Sequence, residues 1–271
     1  MGERSASTLY VYRRLVGARL RSDMQYRTSF FLFLAGQIFV GAADFLAIAV
    51  IFGRVNSLGG WSVGEVAFLF GMSSLAFGIG DIFISQVELA ATHIKAGTFD
   101  AFLVRPIGTL WQLSAFEFAT RRLGRMVQPL VVLAIALPRV QADWTAAHVA
   151  LIPVTVAVGV AIYGSIWVLT SSLSFWTVET QELSNSFTYG GNTLTSYPID
   201  VFSGVLRRIV IFVVPLAFVA YLPAVVLFDK PMPFDLPRWV AWLGPVVGAL
   251  LVALARAVWR LAIRHYRSTG S

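Results

Sequence analysis

Six stretches of this chain are apolar runs of the kind that cross a bilayer, and hydrocarbon leaves their backbone groups no partners but each other. They are approximately Ser29 to Gly53, Val66 to Val87, Leu123 to Leu137, Val149 to Phe175, Ile209 to Phe228 and Trp239 to Ile263. A span needs about 20 mostly apolar residues to cover roughly 30 Å of hydrocarbon. The third run is shorter than that unless it takes in Arg125 or reaches past Arg139. Hydrophobic residues make up 57% of the chain and charged ones 13%, whereas a soluble domain carries roughly 25% charged residues. The expected fold is an all-α polytopic membrane protein. It has a leader over 1–28, a six-span domain over 29–263 with a long loop at 88–117, and a tail over 264–271.

Orientation follows from the basic residues. Of the 21 Lys and Arg, all but Arg54, Arg139, Lys230 and Arg238 fall on the same side as the N-terminus. The positive-inside rule therefore places both termini, the 88–117 loop and the Arg207-Arg208 pair in the cytoplasm. The net charge of +7 points to lipid headgroups and not to nucleic acid, because the cations flank apolar runs instead of covering one soluble face. With no cysteine, disulfide and thiol chemistry are excluded. No secretory signal is expected, since the first apolar run begins only near Phe30.

Two flanking segments read as interfacial helices. In the leader, Leu9, Tyr12, Val16, Leu20 and Met24 share one helical face. Ahead of the fifth run, Pro198 suits a first helical position, Ile199, Phe202 and Leu206 form an apolar stripe, and Asp200, Ser203 and Arg207 point away from it. Pro215 and Pro223 predict kinks or a break in the fifth run. The turn from Asp229 to Pro237 is too short and stiff for a sizeable external domain. Gly244 and Gly248 form a G-x-x-x-G in the last run, suited to close helix approach.

The sequence lacks a P-loop, an H-E-x-x-H, a G-x-S-x-G and any metal-ligand spacing, so no catalytic residue and no metal site are assigned. His93, His148 and His265 lie on separate segments. Two carboxylates fall inside apolar runs, where an ionised group costs at least about 2.5 to 3.5 kcal/mol. Asp44 and Asp81 sit at different depths, which argues against a dyad. Asp81 is placed to pair with Arg125, while Asp44 has no evident partner and is equally consistent with a polar pathway.

One polar interruption stands out: Lys95-Ala-Gly-Thr-Phe-Asp-Ala-Phe-Leu-Val-Arg-Pro106. Gly97 suits a left-handed helix end, Thr98 an N-cap, Asp100 a first turn and Arg105-Pro106 a stop, which predicts a helix of barely two turns. This segment resembles the K/A-G-x-[IL]-D-x-x-L-x-[RK]-P loop of ABC-2 type transporter permeases, in the six-span bacterial subgroup. Ser174-Phe175-Trp176, Tyr197-Pro198, Pro215, Pro223-Ala224 and Tyr266-Arg-Ser-Thr-Gly270 extend the resemblance over most of the chain. Phe99 replaces the usual aliphatic residue and Ala101 a polar or aromatic one.

The resemblance implies a bacterial inner-membrane exporter permease without its own ATPase. It would pair with a second permease, identical or not, and with two copies of a separate nucleotide-binding subunit that holds ATP and Mg. It further implies that the leader is an elbow helix and that Lys95, Gly97, Thr98, Phe99, Asp100, Leu103, Arg105 and Pro106 couple to that ATPase. A small molecule, lipid or peptide would be the cargo. Two other classes compete: an ion- or proton-coupled transporter using Asp44 and Asp81, and a membrane enzyme or scaffold, for which no converging catalytic groups are visible.

Overall fold

The computed structural model describes residues 53–55, 57–116, 124–177 and 180–266, with isolated positions before residue 51. The leader helix, the first apolar run and Asp44 lie outside the described residues. Ten α-helices follow in order among the described residues: α1 Val63–Phe83, α2 Leu89–Lys95, α3 Asp100–Leu103, α4 Thr109–Phe116, α5 Gly124–Ala136, α6 Ala146–Ser172, α7 Gln181–Thr195, α8 Gly204–Arg208, α9 Tyr221–Leu227 and α10 Gly244–His265. With their flanking 3₁₀ turns, three are long and apolar enough to cross a membrane: Val63–Phe83, Ala146–Phe175 and Arg238–His265.

Local chemistry sets the helix ends. Ser62 and Glu65 form a capping box, so α1 starts three residues before the apolar run does. Thr145 accepts from the His148 amide and starts α6. Helix α5 takes Arg125 inside its first turn and tolerates Pro129 in its interior.

Helix α1 is the centre of the molecule. Its apolar window is 83% buried, against 50% for α6 and 22% for α10. Small residues allow the approach: a Cβ added to Gly159 of α6 would lie 2.6 Å from Ala76 Cβ of α1, and one added to Gly71 would lie 2.6 Å from Leu133 Cγ of α5. Gly244 and Gly248 of α10 pack on Val158 and Ala161 of α6, which is the contact expected of the G-x-x-x-G.

The fifth apolar run is not one helix. From α8 the chain passes into a π turn, Ile209–Val213. It is then extended at Val214, forms a 3₁₀ turn at Leu216–Phe218 and resumes only as the seven residues of α9. Pro215 supplies no N–H and disfavours helical backbone at Val214, so a run that is apolar enough to span is broken near its middle.

The segment beside α1 and α6 is instead α7, a helix rich in Ser, Thr, Asn and Gly. The region after it also differs from expectation. Pro198 opens a three-residue 3₁₀ turn, Phe202 is extended, and Ser203 caps α8, so no continuous amphipathic helix forms there. Asp200 receives a bond from Trp61 Nε1 at 2.9 Å, and Arg207 pairs with Asp200 at 3.3 Å. Arg207 and Arg208 therefore sit at the Trp61 end of the molecule, opposite to the loop they were grouped with. Trp61 and Trp259 are both buried inside the molecule.

Replacing Gly159 with Val should lower the thermal midpoint, with overpacking of about 1–3 kcal/mol. Thermal unfolding followed by a fluorescence or aggregation signal in detergent checks this; an unchanged midpoint would mean that α1 and α6 are free to separate.

Candidate functional site

The loop from Lys95 to Pro106 folds as a tight reversal. Gly97 ends α2 at φ +67°, a conformation that glycine adopts without strain. Thr98 does not cap the following helix. Its hydroxyl lies 2.9 Å from His93 Nδ1, and its amide donates to the His93 carbonyl, so it closes α2 instead. Helix α3 is one turn, not two, and follows Phe99 in the N-cap position without a side-chain cap.

What holds this turn is aromatic packing. Phe99 is fully buried, with ring centroids 5.2 Å from Phe175 and 5.0 Å from Tyr266. Phe102 is buried beside it, and the cluster continues through Val87, Leu113, Val168 and Trp259. Polar bonds pin the flanks: Gln112 Nε2 donates to the Phe102 and Ile107 carbonyls, and Trp259 Nε1 donates to Thr109 Oγ1 at 3.1 Å. The turn is thus tied to the ends of α6 and α10.

Its other face is open. Lys95, Thr98, Leu103, Val104, Arg105 and Pro106 are exposed, Val104 to 84%, and the Arg105 guanidinium lies 5.9 Å from the Phe102 ring. Asp100 is half-buried in the first turn of α3. The structure therefore brings the eight loop residues together, with Phe99 and Gly97 serving the fold and the rest facing outward or sideways.

Asp81 is fully buried and pairs with Arg125 Nη1 at 2.7 Å, joining α1 to α5. Arg125 also donates to Tyr189 OH at 3.3 Å, which brings in α7. This pair belongs to a ladder that sequence reasoning missed. Towards the loop, Glu88 accepts from Ser184 Oγ at 2.7 Å, and Thr170 donates to the same hydroxyl at 3.0 Å. Towards the Trp61 end, Ser73 Oγ donates to Asn192 Oδ1 at 3.0 Å, and Tyr163 OH lies 2.7 Å from Thr195 Oγ1. The signal was present: Ser184, Thr188, Gly191 and Thr195 recur on one helical face, all of them buried. Small polar residues on one face can knit helices in hydrocarbon, whereas hydropathy reads them as loop.

The arrangement is that of a membrane protein with a rigid, partly exposed helical turn at one end. It has a family. The chain matches the ABC-2 family transporter protein family over residues 38–270, and it belongs to that family. Members are membrane components of transporters, generally paired with an ATPase subunit. No curated protein and no solved structure matches the chain.

Asp81→Asn should destabilise the protein by on the order of 3 kcal/mol, because Arg125 would keep its charge without its partner. Arg125 is 31% exposed, which places the cost towards the lower end of the range for buried pairs. Comparing thermal midpoints of Asp81→Asn with the double variant Asp81→Asn/Arg125→Gln checks the assignment. The double variant should recover part of the loss, and equal losses in both would show that the pair is not what matters.

Proposed function

We propose that this chain is the permease subunit of an ATP-driven exporter in the bacterial cytoplasmic membrane, and that α3 is its coupling helix. One observation carries this reading: a single helical turn presents Leu103, Val104 and Arg105 outward while Phe99 and Phe102 lock it to α6 and α10. A force applied to the exposed side is delivered to two long helices with little slack, since close-packed aromatic contacts yield only by discrete repacking. The partner is a separate nucleotide-binding subunit that holds ATP and Mg, and the Phe99 end faces the cytoplasm.

A second permease completes the path. Glu182, Ser186, Tyr189 and Thr193 form an exposed polar stripe on α7, which a second polar surface would accommodate better than lipid. That stripe faces the matching stripe of the second permease across a polar route for a small molecule, lipid or peptide. An ion-coupled mechanism through Asp81 fits less well, because its carboxylate is committed to Arg125.

The double variant Val104→Asp/Arg105→Glu should abolish co-purification with the ATPase subunit while leaving the thermal midpoint within about 0.5 kcal/mol of the parent, as exposed substitutions do. Phe99→Ala should behave differently, retaining some ATPase binding but losing transport-linked stimulation of hydrolysis. Normal coupling in both variants would remove α3 from the mechanism.

Because the chain has no cysteine, Ser186→Cys and Thr193→Cys provide clean cross-linking sites. Each should give a cross-linked permease pair with a short bifunctional thiol reagent in membranes. Exclusive labelling by lipid-soluble reagents, without a cross-link, would put the stripe against lipid instead.

A further inference from the structure

Helix α10 is the most peripheral of the three long apolar helices, with 22% of its apolar window buried. Two stripes run along its outward side. Val246, Leu250, Leu254 and Leu261 are each at least half exposed. Beside them Arg256, Arg260 and Arg264 recur every four residues, so they share one flank, and all three are exposed. The inward flank of the same turns carries Ala255, Trp259 and Ala262, which are buried.

Ion pairs are more frequent at the opposite end of the molecule, although Arg139 and Arg208 there also form none among the described residues. At the Trp61 end Arg207 pairs with Asp200, Lys230 with Glu65 and Arg238 with Asp229. Among the described residues, no acidic side chain forms an ion pair with Arg256, Arg260 or Arg264. Arg256 lies roughly 26 Å along the helix from Trp239 at about 1.5 Å per residue, close to the hydrocarbon thickness of a bilayer. Arg256, Arg260 and Arg264 occupy about 12 Å of helix at and beyond that distance.

We propose that Arg256, Arg260 and Arg264 form a docking flank for the phosphate headgroups of anionic phospholipids, with the acyl chains lying along Val246, Leu250 and Leu254. Arginine suits this role because its planar fork donates paired bonds to phosphate and its stem covers apolar surface. The neighbouring leucines supply the apolar half of the same ligand, which a soluble anion lacks. Assigning the lipid to the cytoplasmic leaflet rests on the function proposed above, but the binding itself does not.

Native mass spectrometry of the purified full-length chain, offered equal amounts of phosphatidylglycerol and phosphatidylcholine in detergent, tests the flank without any ATPase subunit present. The parent should retain phosphatidylglycerol preferentially. Each of Arg256→Gln, Arg260→Gln and Arg264→Gln should reduce that preference about fivefold, equivalent to about 1 kcal/mol per cation near a membrane surface. The corresponding Lys variants should keep most of it, and added inorganic phosphate should not displace the lipid.

Full retention of the preference in a triple Gln variant with an unchanged thermal midpoint would overturn the proposal. If that variant does not fold, the three single variants carry the same test. Displacement of the lipid by inorganic phosphate would also overturn it, by showing a site for a free anion. So would loss of ATPase co-purification with an unchanged lipid preference, which would give the flank to a protein partner.

Discussion

The hydrogen-bond ladder that fastens α7 to α1 and α6 is the interaction on which the rest of this architecture depends. A helix rich in Ser, Thr and Asn gains little from burial among apolar neighbours, so contacts must satisfy its hydroxyls one by one. Ser184, Tyr189, Asn192 and Thr195 each bond to a side chain from another helix. The rungs run antiparallel along α1, from Glu88 through Asp81 to Ser73, and they fix the register of two helices that hydrophobic packing alone would leave free to slide. In hydrocarbon such bonds are worth about 0.6 kcal/mol on average. Several of them on one helix, each specific to a partner, set geometry more than they set total stability.

That register matters at the loop end. The 3₁₀ turn Ser85–Glu88 continues α1 directly towards α2, and Glu88 is itself a rung of the ladder. Val87 enters the aromatic cluster around Phe99 together with Val168 of α6 and Trp259 of α10. The ladder and the cluster thus share α1, α6 and their ends, and the cluster packs α3 against residues of α6, α10 and the turn that follows α1. Had Phe99 been a small residue, the same turn would lose its contacts with Phe175 and Tyr266 and rest on Phe102 and the bonds of Gln112.

Most of what hydropathy governs was legible in the sequence. The positions of α1, α6 and α10, the pairing of Asp81 with Arg125 and the glycine at the end of α2 all follow from composition and spacing. The interruption of the Ile209–Phe228 run at Val214 and Pro215 was legible too, because a proline there predicts a break. Helix α7 was not: its residues are polar and no span was assigned to it, although its buried face repeats with helical spacing. Apolarity is not the only condition for a segment to lie among spanning helices, since the hydrogen-bond partners around it decide as well. Thr98 is a smaller case of the same kind: the residue is a good N-cap, but an adjacent histidine offered it a partner in the preceding helix.

Broken backbone at the Trp61 end needs its own compensation, and Asp200 supplies it. Its carboxylate accepts from Trp61 Nε1, from Tyr221 OH at 2.8 Å and from Arg207, so the start of α1, the short helix α9 and α8 meet at one side chain. Trp61, Tyr221, Phe228 and Phe68 pack around that point, with Trp61 and Tyr221 centroids 5.6 Å apart. Lys230 closes the rim by bonding the Gly60 carbonyl and pairing with Glu65. A segment that turns back before reaching the far side leaves interrupted helix ends, and a charge-centred hub surrounded by aromatic rings is one of the few devices that can hold such ends in an apolar setting. The two ends of the molecule are therefore built on opposite terms. The Trp61 end pairs Arg207, Lys230 and Arg238 with carboxylates, whereas the Phe99 end buries its aromatics and leaves Lys95, Arg105 and the arginines of α10 exposed. The proposed contacts with phosphate headgroups and a partner subunit rest on this exposed charge.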